Sequence, residues 1–138
     1  VMMQLNRAAS EAMVAAGATA ATDVTGYGLI GHLANLKGGA DIELNGVPFM
    51  SGVRQLAAND LFPSGSRRNH AAYRDQVDWG GIAEIDQMML CDAQTSGGLL
   101  IAIPPQNSTR FEDALHAEPF RPVRIGTITG RGSIRVIG

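Results

Sequence analysis

The sequence predicts an α+β fold in which helices are layered on a mixed sheet, and three observations carry that expectation. Segments with apolar residues three and four apart stand among shorter β-type runs, without the strict alternation of a doubly wound sheet. Hydrophobic residues make up 45% of the chain and charged residues 17%, a balance that can fill a packed core. Glycines number 17 in 138 residues. That exceeds the roughly 7% of ordinary chains, and the excess follows apolar runs, where tight corners need it.

The elements follow in order. Leu5, Ala8, Ala9, Ala12, Met13 and Ala16 share one face of a helix from Met2 to Ala16, and Gly17 sits where a left-handed cap belongs. Because the chain reads straight into this helix, it is expected to be a piece of a longer protein. Ala18 to Val24 reads as a short strand, after which Thr25 can cap a helix through Leu36 that ends at Gly38 and Gly39. Ala40 to Leu44 alternates like a half-exposed strand and runs into an Asn45-Gly46 turn signal.

Ser51 is placed to cap a helix from Gly52 to Ala58. Asn59 to Asn69, rich in Pro, Ser, Gly and Arg, reads as a loop. Asn69 to Val77 is expected to form a short helix and Ile82 to Cys91 an amphipathic element. Leu99 to Ile103, stopped by Pro104 and Pro105, reads as a buried strand. Ser108 or Thr109 then caps a helix to His116. Arg121 to Thr129 and Ser133 to Ile137 read as strands of a hairpin around Gly130-Arg131-Gly132.

Length and charge bound the function. A chain of 138 residues is the size of one domain, so residues 1–138 are expected to form a single unit. A net charge of -2 gives no electrostatic footprint for nucleic acid or an anionic membrane surface. The longest apolar stretch, Leu99 to Pro105, is far short of the roughly 20 residues of a membrane span, and no signal pattern opens the chain, so a cytoplasmic location is expected. One cysteine, Cys91, rules out an internal disulfide and a cysteine-based zinc site.

Two constellations could carry chemistry. Asp23-Val24-Thr25-Gly26-Tyr27-Gly28-Leu29-Ile30-Gly31-His32-Leu33 places a carboxylate, a hydroxyl and glycines between a strand end and a helix start, where backbone N–H groups favour an anion. Asp23 or Thr25 there can simply cap the helix. Alternatively Asp23 approaches a phosphate through a bridging Mg²⁺, which typically takes one or two carboxylates plus phosphate oxygens. The second constellation, Asp92 to Ala102, sets hydroxyls and the Gly97-Gly98 pair just before a strand, as either a tight turn or an anion-binding nest. His32 lacks a partner at metal-binding spacing and reads as packed or hydrogen-bonded. Cys91 reads as a small buried residue and Trp79 as a packing anchor. Arg67 and Arg68 read as an exposed pair.

Three strings, Ala21 to Leu33, Pro63-Ser64-Gly65-Ser66-Arg67-Arg68-Asn69 and Asp92 to Leu100, together resemble in their order the selenophosphate synthetase (selenide, water dikinase) family. The resemblance runs from Asn6 to Val136, with Tyr27 where phenylalanine is commoner and Ala93 where proline is usual. It implies an α+β carboxy-terminal domain of the aminoimidazole ribonucleotide (AIR) synthetase type. It also implies the reaction of ATP, selenide and water to selenophosphate, AMP and phosphate, with Mg²⁺. The expected partners are the protein's own amino-terminal ATP-binding domain and a second copy in a homodimer.

The resemblance makes Asp23 a Mg²⁺ ligand beside the ATP phosphates and places Thr25 and Gly26 on the phosphate side. The family's cysteine or selenocysteine and its lysine belong to a glycine-rich segment that Cys91 does not match, so no catalytic residue is expected here and the isolated chain is expected to be inactive. Two alternatives remain: another enzyme of the AIR-synthetase group, such as a hydrogenase maturation factor, and a non-catalytic binding module. The maturation factor is expected to end in a cysteine-containing tail, unlike Ile134 to Gly138.

Overall fold

A computed structural model describes residues 6–138, and the expected helical residues Met2 to Leu5 lie outside the described residues. The helices are α1 (Arg7–Ala15), α2 (Gly28–Asn35), α3 (Val53–Ala58), α4 (Ser64–Tyr73), α5 (Glu84–Leu90) and α6 (Ser108–Ala114). The strands are β1 (Ala20–Asp23), β2 (Ala40–Glu43), β3 (Val77–Asp78), β4 (Leu99–Ala102), β5 (Gly126–Ile128) and β6 (Ile134–Ile137). Helices and a mixed sheet give the α+β class that the residue pattern predicts.

The strands form two sheets. β1 and β4 pair antiparallel, with Asp23 opposite Leu99 at one end and Ala20 opposite Ala102 at the other. The second sheet has the order β3-β6-β2-β5, parallel between β3, β6 and β2 and antiparallel between β2 and β5. Ala40 and Ile42 of β2 and Ile134 and Val136 of β6 alternate inward as a pleated strand requires. Ile30 and Leu33 of α2 and Leu90 of α5 join them in the main core, with Trp79. Full burial of a side chain such as Ile30 or Leu90 contributes about 1.5–3 kcal/mol.

A second, smaller core forms where the small-residue face of α1, Ala9 and Ala12, meets Phe111 and Leu115 against the β4 side chains Leu99 and Ile101. Between the two cores runs an open cleft of about 1490 Å³, bordered by Leu29, Phe49, Ile101 and Phe120 and by the 92–98 loop. Among the described residues no helix is long and apolar enough to cross a membrane.

Several expectations need correction. The region read as the loop Asn59 to Asn69 contains the start of α4, and the short helix expected over Asn69 to Val77 is the end of that helix, followed by β3. The hydrophobic pattern missed α4 because its buried residues, Ser66, Asn69 and His70, are polar. β5 and β6 do not form a hairpin with each other. They straddle β2, and their connection crosses Gly38 and Gly39, where Thr129 N donates to Gly39 O (3.1 Å) and Gly132 N donates to Gly38 O (3.0 Å). This arrangement gives both edges of β2 a partner. The Asn45-Gly46 signal forms a 3₁₀ turn (Leu44–Gly46) instead of a hairpin turn. Neither Ser51 nor Ser108 nor Thr109 caps its helix: the residues at those cap positions are Gly52 and Asn107. Gly17 is left-handed as predicted, with φ +66°.

On the sheet face opposite the main core, Asp41 of β2 stands beside Arg135 of β6 in register and accepts hydrogen bonds from Arg135 (Nη2–Oδ2 2.7 Å) and from Arg131. The Arg131 hydrogen bond first, and then that of Arg135, hold the Asp41 carboxyl below its ordinary value. A carboxylate lowered in the folded state adds stability above its unfolded value near 3.9, and that stability is lost as pH falls through the folded value. Melting temperatures measured from pH 7 to pH 2 should therefore fall more steeply below about pH 4 in the parent than in Asp41→Asn. Parallel profiles would contradict this role for Asp41.

Candidate functional site

The three strings singled out in the sequence, distant along the chain, meet at one place in the fold. The turn after β1 (residues 23–28), the N-terminal half of α4 and the loop 91–98 are laced together by hydrogen bonds. Val24 N donates to Gly98 O (2.9 Å), Gly97 N to Val24 O (2.9 Å) and Gln94 N to Thr25 O (3.1 Å). These bonds extend the β1–β4 pairing past its last register position and bring the 94–98 backbone against the turn.

α4 supplies the third side. Ser66, fully buried, donates to Asp92 Oδ1 (2.5 Å) and accepts from Ala93 N (3.0 Å). Asn69, also buried, donates through Nδ2 to Gly26 O (2.8 Å) and to Cys91 O (3.1 Å). Gln94 Nε2 donates to the other Asp92 oxygen (3.0 Å). Among the described residues no buried side-chain nitrogen or oxygen lacks a partner, as buried polar networks require.

His32 holds the turn from below. Its Nε2 accepts from Thr25 N (3.0 Å) and lies 3.1 Å from Thr25 Oγ1, while Nδ1 lies 3.5 Å from Thr22 Oγ1. An amide can only donate, so Nε2 carries a lone pair and a neutral ring carries its proton on Nδ1. This confirms His32 as a packed, hydrogen-bonded histidine and corrects the capping alternative. Asp23 belongs to β1, α2 starts at Gly28, and no side chain caps its first turn. The Thr25 hydroxyl and amide point to His32 instead.

Asp23 itself is exposed, and among the described residues its carboxylate takes part in no hydrogen bond or ion pair. Gly26 is exposed too, and a Cβ there would meet nothing within 4 Å, so the turn admits a close neighbour. Among the described residues no three His, Cys, Asp or Glu side chains cluster as a metal cage. Asp23 therefore offers one ligand. Mg²⁺ typically takes one or two carboxylates and fills its shell with phosphate oxygens and water, and a free carboxylate on an open turn fits that requirement.

The remaining candidates are structural. Burial pushes the Cys91 thiol up to about 12, so it stays protonated at neutral pH. Trp79 is buried and donates from Nε1 to Arg74 O (2.9 Å). Arg67 is exposed and pairs with Asp60 (2.9 Å), and Arg68 donates to Ser64 Oγ (3.2 Å).

The family model described as AIR synthase related protein, C-terminal domain, matches residues 2–138. This chain belongs to that family. The AIR-synthase-related membership agrees with the α+β architecture and with the resemblance carried by the three strings. Curated relatives narrow the likeness. A "Selenide, water dikinase" of Carboxydothermus hydrogenoformans is 38% identical over 141 residues, covering 99% of this chain and 41% of the relative. Proteins of the same name are 42% identical over 114 residues in Geobacter metallireducens and 33% identical over 139 residues in Pseudomonas aeruginosa. The chain spans 33% to 41% of these relatives' lengths.

The motif strings pointed to Asp23, Thr25 and Gly26, whereas nothing in them marked Ser66, Asn69 and Gln94 as the groups that hold this turn. One signal was available: Ser66, Asn69 and His70 repeat at the three-and-four spacing of a helix face, in polar instead of apolar residues. Gly28 shows how tightly the parts fit. It is left-handed (φ +68°), and a Cβ there would lie 2.6 Å from the carbonyl carbon and oxygen of Cys91. Gly28→Ala should cost about 1–2 kcal/mol for the conformation, plus about 1–3 kcal/mol for overpacking. Equilibrium denaturation measures the loss, and a variant as stable as the parent would refute the close contact.

Proposed function

We propose that this chain, acting as one domain over residues 1–138, is the carboxy-terminal domain of a selenide, water dikinase, which makes selenophosphate, AMP and phosphate from selenide, ATP and water. The observation that carries the reading is the convergence of the three strings on one turn that presents an unpaired Asp23 carboxylate. The names of the relatives support the same activity. The proposed partners are an amino-terminal ATP-binding domain and a second copy in a homodimer, working in the cytoplasm.

In this reading Asp23 is a Mg²⁺ ligand beside the ATP phosphates. Bound Mg²⁺ would neutralise charge on the phosphates during transfer. The chain's own residues do the rest of this domain's work. The ladder to Gly97 and Gly98 fixes where β1 ends, and His32 holds the Thr25 amide and hydroxyl. Gly26 leaves room on the phosphate side. Thr25 lies on that side as well, but its donors are turned to His32, so its part is to shape the turn. No residue of this chain acts as nucleophile, and Cys91, protonated and buried, is no candidate.

The test is Asp23→Asn in the full-length protein that carries this domain. Asn keeps the size and removes the charge, so the melting temperature should hold while ATP turnover falls by orders of magnitude. Normal turnover in that variant would overturn the role of Asp23. The isolated chain should not hydrolyse ATP, and turnover by purified chain that is sensitive to Asp23 substitution would overturn the half-site reading.

A further inference from the structure

We infer that Asn69 is a positioning residue, whose side-chain amide ties the Gly26 carbonyl to the Cys91 carbonyl and so holds the Asp23 turn in the shape that presents its carboxylate. The inference rests on the proposed role of the Asp23 turn and adds a residue of α4 to it.

The chemistry at position 69 is specific. Two carbonyl oxygens face the side-chain amide, at 2.8 Å and 3.1 Å, and only its nitrogen end can answer both. The reverse orientation would set an oxygen against two oxygens, so the partners themselves decide which way the amide points. Both hydrogens of Nδ2 are then used. Aspartate would bring a carboxylate to the two carbonyls, leucine would bring no donor, and glutamine would be one methylene too long for the same seat.

The place in the fold explains why this tie matters. β1 belongs with β4 and the small core of α1 and α6, whereas α4 packs with α2 and α5 beside the main core. The Asp23 turn lies at the junction between these two bodies, between β1 and α2. The ladder to Gly97 and Gly98 fixes the turn to β4, and His32 fixes it to the next helix along the chain. Among the described residues, Asn69 is the side chain of α4 that hydrogen-bonds the turn, 43 residues away in sequence. Through Cys91 O it also holds the loop that bears Asp92 and Gln94, and Gln94 N in turn bonds Thr25 O. A single side chain thus closes the circuit around the turn.

The experiment compares Asn69→Ala with Leu115→Ala in the full-length protein. Leu115 lies in the small core, takes no part in the hydrogen bonds around the turn, and serves as a destabilised control. Hydrogen exchange is read without metal or nucleotide. Amides of residues 24–28 and 93–98 should exchange about tenfold faster in Asn69→Ala, the ratio expected from losing one such bond, and should be unchanged in the control beyond its global loss of stability. The Mg²⁺ concentration for half-maximal ATP turnover should rise by about tenfold in Asn69→Ala alone, with excess Mg²⁺ restoring most of the rate.

Parent-like exchange together with a parent-like Mg²⁺ midpoint would overturn the inference. If Asn69→Ala does not fold, the isosteric Asn69→Asp is read in the same way. Failure of both to fold would make Asn69 a purely structural residue and overturn the positioning role. Because the exchange is read on metal-free protein, it stands apart from the Asp23→Asn result: normal turnover in that variant would end the metal reading and leave the Asn69 tie to be judged on exchange alone.

Discussion

Buried backbone carbonyls must find donors, and this requirement organises the region where the three strings meet. Two loops, 23–28 and 91–98, approach each other closely enough that Gly28 has no room for a Cβ beside Cys91. Loops brought so close expose carbonyl oxygens that no sheet or helix ladder answers. Asn69 answers two of them, and Ser66 answers an amide and a carboxylate oxygen of the same loop. α4 therefore buries polar groups where most helices bury apolar ones, and its stability depends on those groups being fully bonded.

The rest of the fold serves to bring α4 and the two loops together. The main core, from Ile30 and Leu33 to Val136, fixes α2 against the four-stranded sheet, and with it the start of the helix that follows the Asp23 turn. The β1–β4 pair, backed by the small core, brings the turn from the other side. Asp41, clasped by two arginines on the outer face, joins β2 to β6 and to the crossover between β5 and β6. Its contribution is that of an exposed ion pair network and is modest beside the burial on the inner face.

The site that results is unequal in its parts. Val24 and Thr25 beside it are bonded, including the hydroxyl and amide of Thr25, whereas the Asp23 carboxylate itself is left open to solvent. A carboxylate kept free while its neighbours are tied down is open to a ligand that comes from outside the domain. One such group is too little for Mg²⁺ without phosphate oxygens and further donors. The chain's share of the longer relatives, 33% to 41% of their lengths, is in keeping with a site shared between domains.

Much was legible in the residues alone. Apolar spacing located the helix ending at Ala15, the strands at Ala40 and Leu99 and the left-handed Gly17, because local propensity and burial act over a few residues. The motif strings located the Asp23 turn and the 92–98 loop, and the mixing of helical and β-type runs without strict alternation pointed to the α+β class. The sequence could not show that β5 and β6 straddle β2, because strand pairing depends on contacts between distant residues and a short Gly-rich link serves a hairpin or a crossover equally well. Nor could it show α4, whose buried face of Ser66, Asn69 and His70 carries no hydrophobic signal. Thr25 looked like a cap from its position, but His32, one helical turn into α2, offered it a better partner. Local chemistry thus brought out the residues proposed to carry function, and only the tertiary structure decided what holds them, since those bonds join groups as much as 74 residues apart.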